Sequence, residues 1–137
     1  MKYVLDTNAV SALMRGDPQV IERLRQKRKT EVTLPGPVAA EIAYGIERLT
    51  KSRRRDSLQE RFELIRREIG YEPWTDEVSV QFGRIKATLE RRGQRIEDFD
   101  AAIAAHALAT DSVLVTANLR QLNRIPGLII EDWTASS

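Results

Sequence analysis

No cysteine occurs among the 137 residues, and several other scarcities are equally informative. Without thiols, disulfides, zinc–thiolate sites and cysteine nucleophiles are excluded. The single histidine, His106, is not grouped with a serine and an acid, so a Ser-His-Asp nucleophile system has no support. Seven glycines are scattered, and none forms the GxGxxG or GxxxxGK loop that cradles phosphates. Aromatics make up 6%, too few for a platform on which successive bases of a single strand stack. No window approaches the ~20 apolar residues of a membrane span. The N-terminal apolar run stops at Asp6, unlike a signal peptide, so the expected location is cytoplasmic.

What is present fits a globular chain, with 42% hydrophobic and 31% charged residues and a length suited to one domain over 1–137. The formal charge of +2 hides an uneven distribution. Residues 15–67 hold 14 Lys/Arg against 8 Asp/Glu, with Lys27-Arg28-Lys29 and Arg53-Arg54-Arg55 the densest points. Such a half either captures a polyanion or forms a solvated helical face.

Periodicity and turn chemistry give a coarse element order. Lys2–Leu5 reads as a buried strand and Ala9–Met14 as a helix closed by Gly16. Asp17-Pro18 reads as a cap with proline at the first helical position. Further strands are expected at Glu31–Leu34, Tyr71–Trp74, Ser112–Val115 and Leu128–Ile130. Helices are expected over Val38–Leu49, Arg54–Ile69, a stretch capped by Thr75-Asp76, Asp98–Thr110, and a turn at Leu119–Leu122. Short strands alternating with helices predict an α/β fold, a parallel sheet covered by helices on both faces.

Three acids stand out beside hydrophobic sequence. Asp6 ends the first strand, and in open α/β sheets the carboxyl ends of strands face the ligand crevice. Thr7 and Asn8 follow it and offer polar groups that hold its rotamer; the segment is equally readable as an ordinary helix cap. Glu41 lies within Val38-Ala39-Ala40-Glu41-Ile42-Ala43-Tyr44-Gly45, where an unpaired ionised acid is costly to desolvate. Gly45, four residues on, shares its face and costs roughly 1 kcal/mol of helix propensity relative to alanine. That gap makes room for a metal, a substrate phosphate or a closely packed backbone; the alternative is an acid paired with an arginine. Asp100 heads Ala101–Leu108 and shares a face with Ile103, Ala104 and Ala107. Asp98 is roughly 200° away around that helix and is expected to cap it. His106 faces elsewhere and is expected to be a packed or surface residue.

Carboxylates brought together raise one another's pKa values unless a cation neutralises them. Magnesium accepts two or three carboxylates and keeps several waters, and a bound divalent ion serves phosphoryl chemistry without cysteine, histidine or an organic cofactor. Two other readings stay open. One is a phosphohydrolase with Asp6 as nucleophile, which wants a second acid where Asn8 stands. The other is a binding module without catalysis.

Taken in order, Tyr3-Val4-Leu5-Asp6-Thr7-Asn8, Glu41-Ile42-Ala43-Tyr44-Gly45, Asp100 through Ala107, Val115-Thr116-Ala117-Asn118-Leu119-Arg120 and Ile125 through Trp133 resemble the PIN domain. Within that family they are similar to the VapC-type toxins of toxin–antitoxin pairs. The resemblance implies a Mg²⁺- or Mn²⁺-dependent endoribonuclease with Asp6, Glu41 and Asp100 as its acidic cluster, Asp6 and Asp100 binding the metal. It also implies an RNA substrate, a cognate antitoxin and dimerisation. Asn118 stands near where many relatives carry a further acid, and Thr116 is placed to hydrogen-bond the acids.

Overall fold

Three consecutive apolar residues, Tyr3–Leu5, form β1, and all three are buried. Burial on both faces of so short a strand requires neighbours on either side and helices above and below, the setting of a parallel sheet. The computed structural model describes residues 1–134; the last three residues of the expected domain, 135–137, lie outside the described residues. After β1 come α1 (Thr7–Arg15), α2 (Pro18–Arg25), a 3₁₀ turn at Lys29–Glu31, β2 (Val32–Pro35), α3 (Gly36–Glu47) and α4 (Arg53–Glu68). Then follow β3 (Gly70–Glu72), α5 (Asp76–Arg91), α6 (Asp98–Ala109), β4 (Val113–Val115), α7 (Leu119–Leu122) and β5 (Ile130–Glu131).

The five strands are ordered β3-β2-β1-β4-β5, and every pairing is parallel. Register is fixed at the centre, where Tyr3 pairs with Val32 on one side and Val113 on the other. The expected α/β class and flanked parallel sheet are therefore what the chain adopts. Local chemistry sets several boundaries. Gly16 takes the left-handed conformation (φ 78°) that closes α1, and Asp17 accepts from the backbone N–H groups of Gln19 and Val20 at the start of α2. Thr75 caps α5 through Val78.

The edge strands differ from expectation. β3 is Gly70–Glu72 rather than Tyr71–Trp74, because Tyr71 and Glu72 pair with Leu34 and Pro35, the last residues of β2. Trp74 lies beyond the strand, donating from its indole nitrogen to Ser79 and packing against Phe82 and His106. β5 is Ile130–Glu131 rather than Leu128–Ile130, since the register with β4 sets Ile130 opposite Leu114 and Glu131 opposite Val115. β2 begins at Val32, after the 3₁₀ turn takes up Glu31. Just past β5, the fully buried Trp133 packs against Tyr3 with ring centroids 5.7 Å apart, so the C-terminal segment closes over the first strand. Among the described residues no helix is long and apolar enough to cross a membrane.

His106 is fully buried in α6, and among the described residues neither ring nitrogen finds a hydrogen-bond partner. The Trp74 ring meets it edge-on, with ring centroids 5.4 Å apart. Burial lowers its pKa from 6.5 to about 4, because charging the ring there forfeits hydration without a compensating acceptor. The unfolded chain takes up a proton near pH 6.5 while the folded one refuses it until about pH 4. Stability is intact above pH 6.5 and declines as pH falls between those values, by roughly 3 kcal/mol in all. His106→Leu is expected to remove that slope and to be at least as stable as the parent at pH 7, since two unsatisfied polar atoms disappear. Urea midpoints of both proteins from pH 7 to 4 check this; parallel curves would refute the assignment.

Candidate functional site

The order of strands decides where the crevice lies. From β1 the chain moves outward through β2 to β3, then crosses back to lay β4 and β5 on the other side. The reversal falls between β1 and β4, and the carboxyl ends of strands at such a point form a cleft. The residues just beyond those two strands are Asp6 and Thr116.

Asp6 is held from three directions. Its backbone N–H donates to the Val115 carbonyl at 3.0 Å, continuing the β1–β4 ladder by one residue. Its side chain accepts from the Ala9 N–H at 2.8 Å, making it the N-cap of α1. It accepts a further hydrogen bond from the Thr116 side chain. Thr116 Oγ1 in turn accepts from the Asn118 N–H at 3.0 Å, which leaves its only proton for Asp6. The helix-cap reading of Asp6 is thus what the structure shows, and the same carboxylate stands at the end of β1 beside β4.

Glu41 sits half-buried in the second turn of α3 and accepts a hydrogen bond from the Thr7 hydroxyl. Thr7 opens α1 directly after Asp6, so this bond ties α3 to the strand end across 34 positions of sequence. Asp100, also half-buried, occupies the first turn of α6. The three acids share one electrostatic neighbourhood. Burial raises the Asp6 pKa above its ordinary 3.8, the Thr116 and Ala9 hydrogen bonds oppose the rise, and the charges of Asp100 and Glu41 add to it. Burial likewise raises Asp100, and the charges of Glu41 and Glu97 raise it further. Among the described residues none of the three forms an ion pair, so no arginine or lysine neutralises them.

Several expectations need correction. Asp98 does not cap α6: it is already the first helical residue, the N-cap is Glu97 without a side-chain bond, and Asp98 instead pairs with Lys86 at 3.1 Å. The rotamer of Asp6 is set by Ala9 and Thr116 rather than by Thr7 and Asn8. Thr7 is directed to Glu41, and Asn8 is exposed on the first turn of α1. The Asn118 side-chain amide donates to Gln121 at 3.0 Å, while its backbone N–H meets Thr116. No sequence signal pairs Thr7 with Glu41, since that contact exists only once the sheet is built, whereas the bond from Thr116 to Asp6 is the one the family resemblance implied.

As a donor set the site suits a hard divalent cation. It offers oxygen ligands alone, and burial together with neighbouring negative charge disfavours the charged forms of Asp6 and Asp100 until a positive charge is present. Among the described residues no group of three or more Asp, Glu or His side chains stands close enough together to hold a metal ion by itself. An ion that keeps part of its water shell needs fewer.

Beside Thr7 and Glu41 a groove of about 470 Å³ opens between α1, α3 and α4. Its lining includes the buried Met14, Ile42 and Ile46, with Tyr44 and Arg48 exposed at its margin.

Known proteins agree with this architecture. The PIN domain family profile matches residues 3–128. The chain is 32% identical to a Haemophilus influenzae protein named Ribonuclease VapC2, over 97% of this chain and 98% of that one. It is 30% identical to the tRNA(fMet)-specific endonuclease VapC of Salmonella typhimurium, again over 97% and 98%. Its fold superposes on the crystal structure of DNA-bound VapBC from Salmonella typhimurium with a TM-score of 0.86, 29% identity, and coverage of 97% of this chain and 98% of the other. The chain belongs to the PIN-domain family, among its VapC-type toxins.

Proposed function

We propose that this protein is the toxin of a toxin–antitoxin pair and acts as a Mg²⁺- or Mn²⁺-dependent endoribonuclease, with Asp6, Glu41 and Asp100 as its catalytic acids. The observation that carries the reading is that the charges of Asp100 and Glu41 reach Asp6 at the β1/β4 switch point and that of Glu41 reaches Asp100, while among the described residues none of the three is ion-paired with a basic side chain. Asp6 and Asp100 would hold the metal. When bound, the ion supplies positive charge that neutralises the acids and stabilises negative charge growing on the scissile phosphate.

The remaining work falls to the chain. Glu41, fixed by the Thr7 hydroxyl, orients the attacking water and receives its proton. Thr116 keeps Asp6 in one rotamer, so no reorganisation is needed as charge develops. Asn8, exposed on the first turn of α1, and Asn118, half-buried just past β4, support the site by hydrogen bonds to the phosphate. The basic stretch of residues 15–67 draws in the RNA backbone. A cognate antitoxin silences the site, and a homodimer is the working assembly.

The test is to purify the chain free of host nucleases and map RNA ends with Mg²⁺, with Mn²⁺ and with EDTA. Initiator transfer RNA is a sensible first substrate, given the name of the Salmonella relative. Cleavage is expected with either metal and is expected to stop with EDTA. Glu41→Gln should lower the rate about a hundredfold or more, the scale of a positioned general base. Equal cleavage in EDTA, or full activity without the Glu41 charge, would overturn the mechanism.

A further inference from the structure

Gly45 interrupts α3 without any visible internal reason. Its backbone does not have positive φ, unlike Gly16, Gly93 and Gly127. A Cβ built there would meet nothing within 4 Å, so no packed neighbour demands its small size. A glycine inside a helix is unfavourable relative to alanine. Open space on a site-facing helix, kept open at that cost, points to an occupant from outside the chain.

The surroundings identify its chemistry. Gly45 lies in the groove that begins at Thr7 and Glu41. Next to it the Tyr44 ring is 67% exposed, far more than an aromatic serving the core. Arg15, Arg48 and Arg54 also line the groove. All three are exposed, and among the described residues none is in an ion pair. Among the described residues the only acid lining the groove is Glu41. Three free guanidinium groups around an apolar floor complement a flat apolar body carrying negative charge, which describes a nucleotide. The volume of about 470 Å³ lies within the ~300–1,000 Å³ usual for small-molecule sites.

We propose that the groove between α1, α3 and α4 is a nucleotide subsite for single-stranded RNA. The nucleotide next to the scissile phosphate lays its base on Tyr44 over the gap at Gly45, and Arg15, Arg48 and Arg54 hold the flanking phosphates. The inference rests on the nuclease reading and adds to it a place where sequence preference is set. A low aromatic content excludes a platform of successive stacked bases, but one exposed ring suffices for one base.

The probe is a pool of short single-stranded RNA of randomised sequence, cut by the wild type in Mg²⁺ with every end sequenced; binding of a labelled sample is read separately by anisotropy in EDTA. Tyr44→Ala is expected to lower kcat/KM roughly five- to 100-fold, the span of one base–aromatic stack, and to flatten the base preference at one position beside the cut. Gly45→Leu, which has room to fold, should do the same by filling the subsite. Arg48→Gln should reduce the slope of log binding against log salt by about 0.7, the single-strand value for one phosphate contact. Unchanged rate and preference in Tyr44→Ala and Gly45→Leu, with Asp6-dependent cleavage intact, would overturn the subsite alone. The subsite also falls if Gly45→Leu spares RNA cleavage and disrupts only association with the antitoxin, since the groove would then belong to a protein. If the wild type cuts no RNA, the nuclease reading fails. The subsite is then judged by anisotropy: weaker binding in Gly45→Leu upholds it and equal binding ends it.

Discussion

Asp6→Asn is expected to reduce RNA cleavage by at least about a thousandfold without loss of stability, whereas Asp6→Ala loses the same activity and about 1 kcal/mol of stability as well. The two outcomes separate because the proposal gives the carboxylate that caps α1 a second job in the site. As N-cap it accepts from the Ala9 N–H at 2.8 Å, and an asparagine side-chain oxygen performs that task about equally well. As a site acid it contributes negative charge, which asparagine lacks. Losing several kcal/mol of transition-state stabilisation corresponds to a factor of a thousand or more. Asparagine also removes a buried charge that burial, Asp100 and Glu41 all disfavour, so metal-free Asp6→Asn should match or exceed the wild type in urea. Initial rates on end-labelled RNA and urea midpoints at pH 7 make the comparison. Should Asp6→Asn keep more than about a tenth of the activity, Asp6 is a helix cap and little else.

That dual role marks how far the sequence could be read. The end of β1 at Asp6, the Asp17-Pro18 start of α2 and the Thr75 cap of α5 were legible because each depends on residues adjacent in sequence. The parallel sheet was legible from alternation of short apolar runs with helical periodicity. β3 and β5 were misplaced by one or more residues because an edge strand is defined by the partner it meets, and Leu34, Pro35, Leu114 and Val115 supply those partners. Asp98 looked like a cap because Asp favours that position, yet α6 begins one residue sooner and Lys86 on α5 claims its charge. At the site, the three acids were visible as residue types beside apolar sequence and the family resemblance pointed to Thr116 as a donor to them, but the pairing of Thr7 with Glu41 was not visible. Thr7 reaches Glu41 across 34 positions, and Thr116 meets Asp6 only because β4 lies against β1. The arginines of the basic stretch were counted in sequence without any sign that Arg15, Arg48 and Arg54 would gather around one groove.

Asp100→Asn is the variant in which function and stability are expected to move in opposite directions. In the metal-free protein Asp100 is half-buried, its pKa is raised by burial and by Glu41 and Glu97, and its own charge raises Asp6. Removing that charge ends the cost of a buried charge at position 100 and relieves Asp6. The opposing term is the attraction of an acid for the N-terminus of α6, about 0.3–1 kcal/mol. Asp98 remains in the same turn and retains part of that attraction. The metal-free variant is therefore expected to be as stable as the wild type or about 1 kcal/mol more so, the usual sign when a functional charge cluster is relaxed. Divalent metal reverses the ranking. At a hundredfold excess over its dissociation constant a ligand stabilises the fold that binds it by about 2.7 kcal/mol. Wild type should gain roughly that in saturating Mg²⁺ or Mn²⁺, while Asp100→Asn, with one carboxylate fewer, gains little and cleaves RNA at least about a thousandfold more slowly. Thermal unfolding of both proteins with EDTA and with each metal, beside their cleavage rates, makes the contrast measurable. An equal metal-induced rise in Tm for the two proteins would show that Asp100 does not hold the ion, and with that result the assignment of α6 to the metal site would have to be withdrawn.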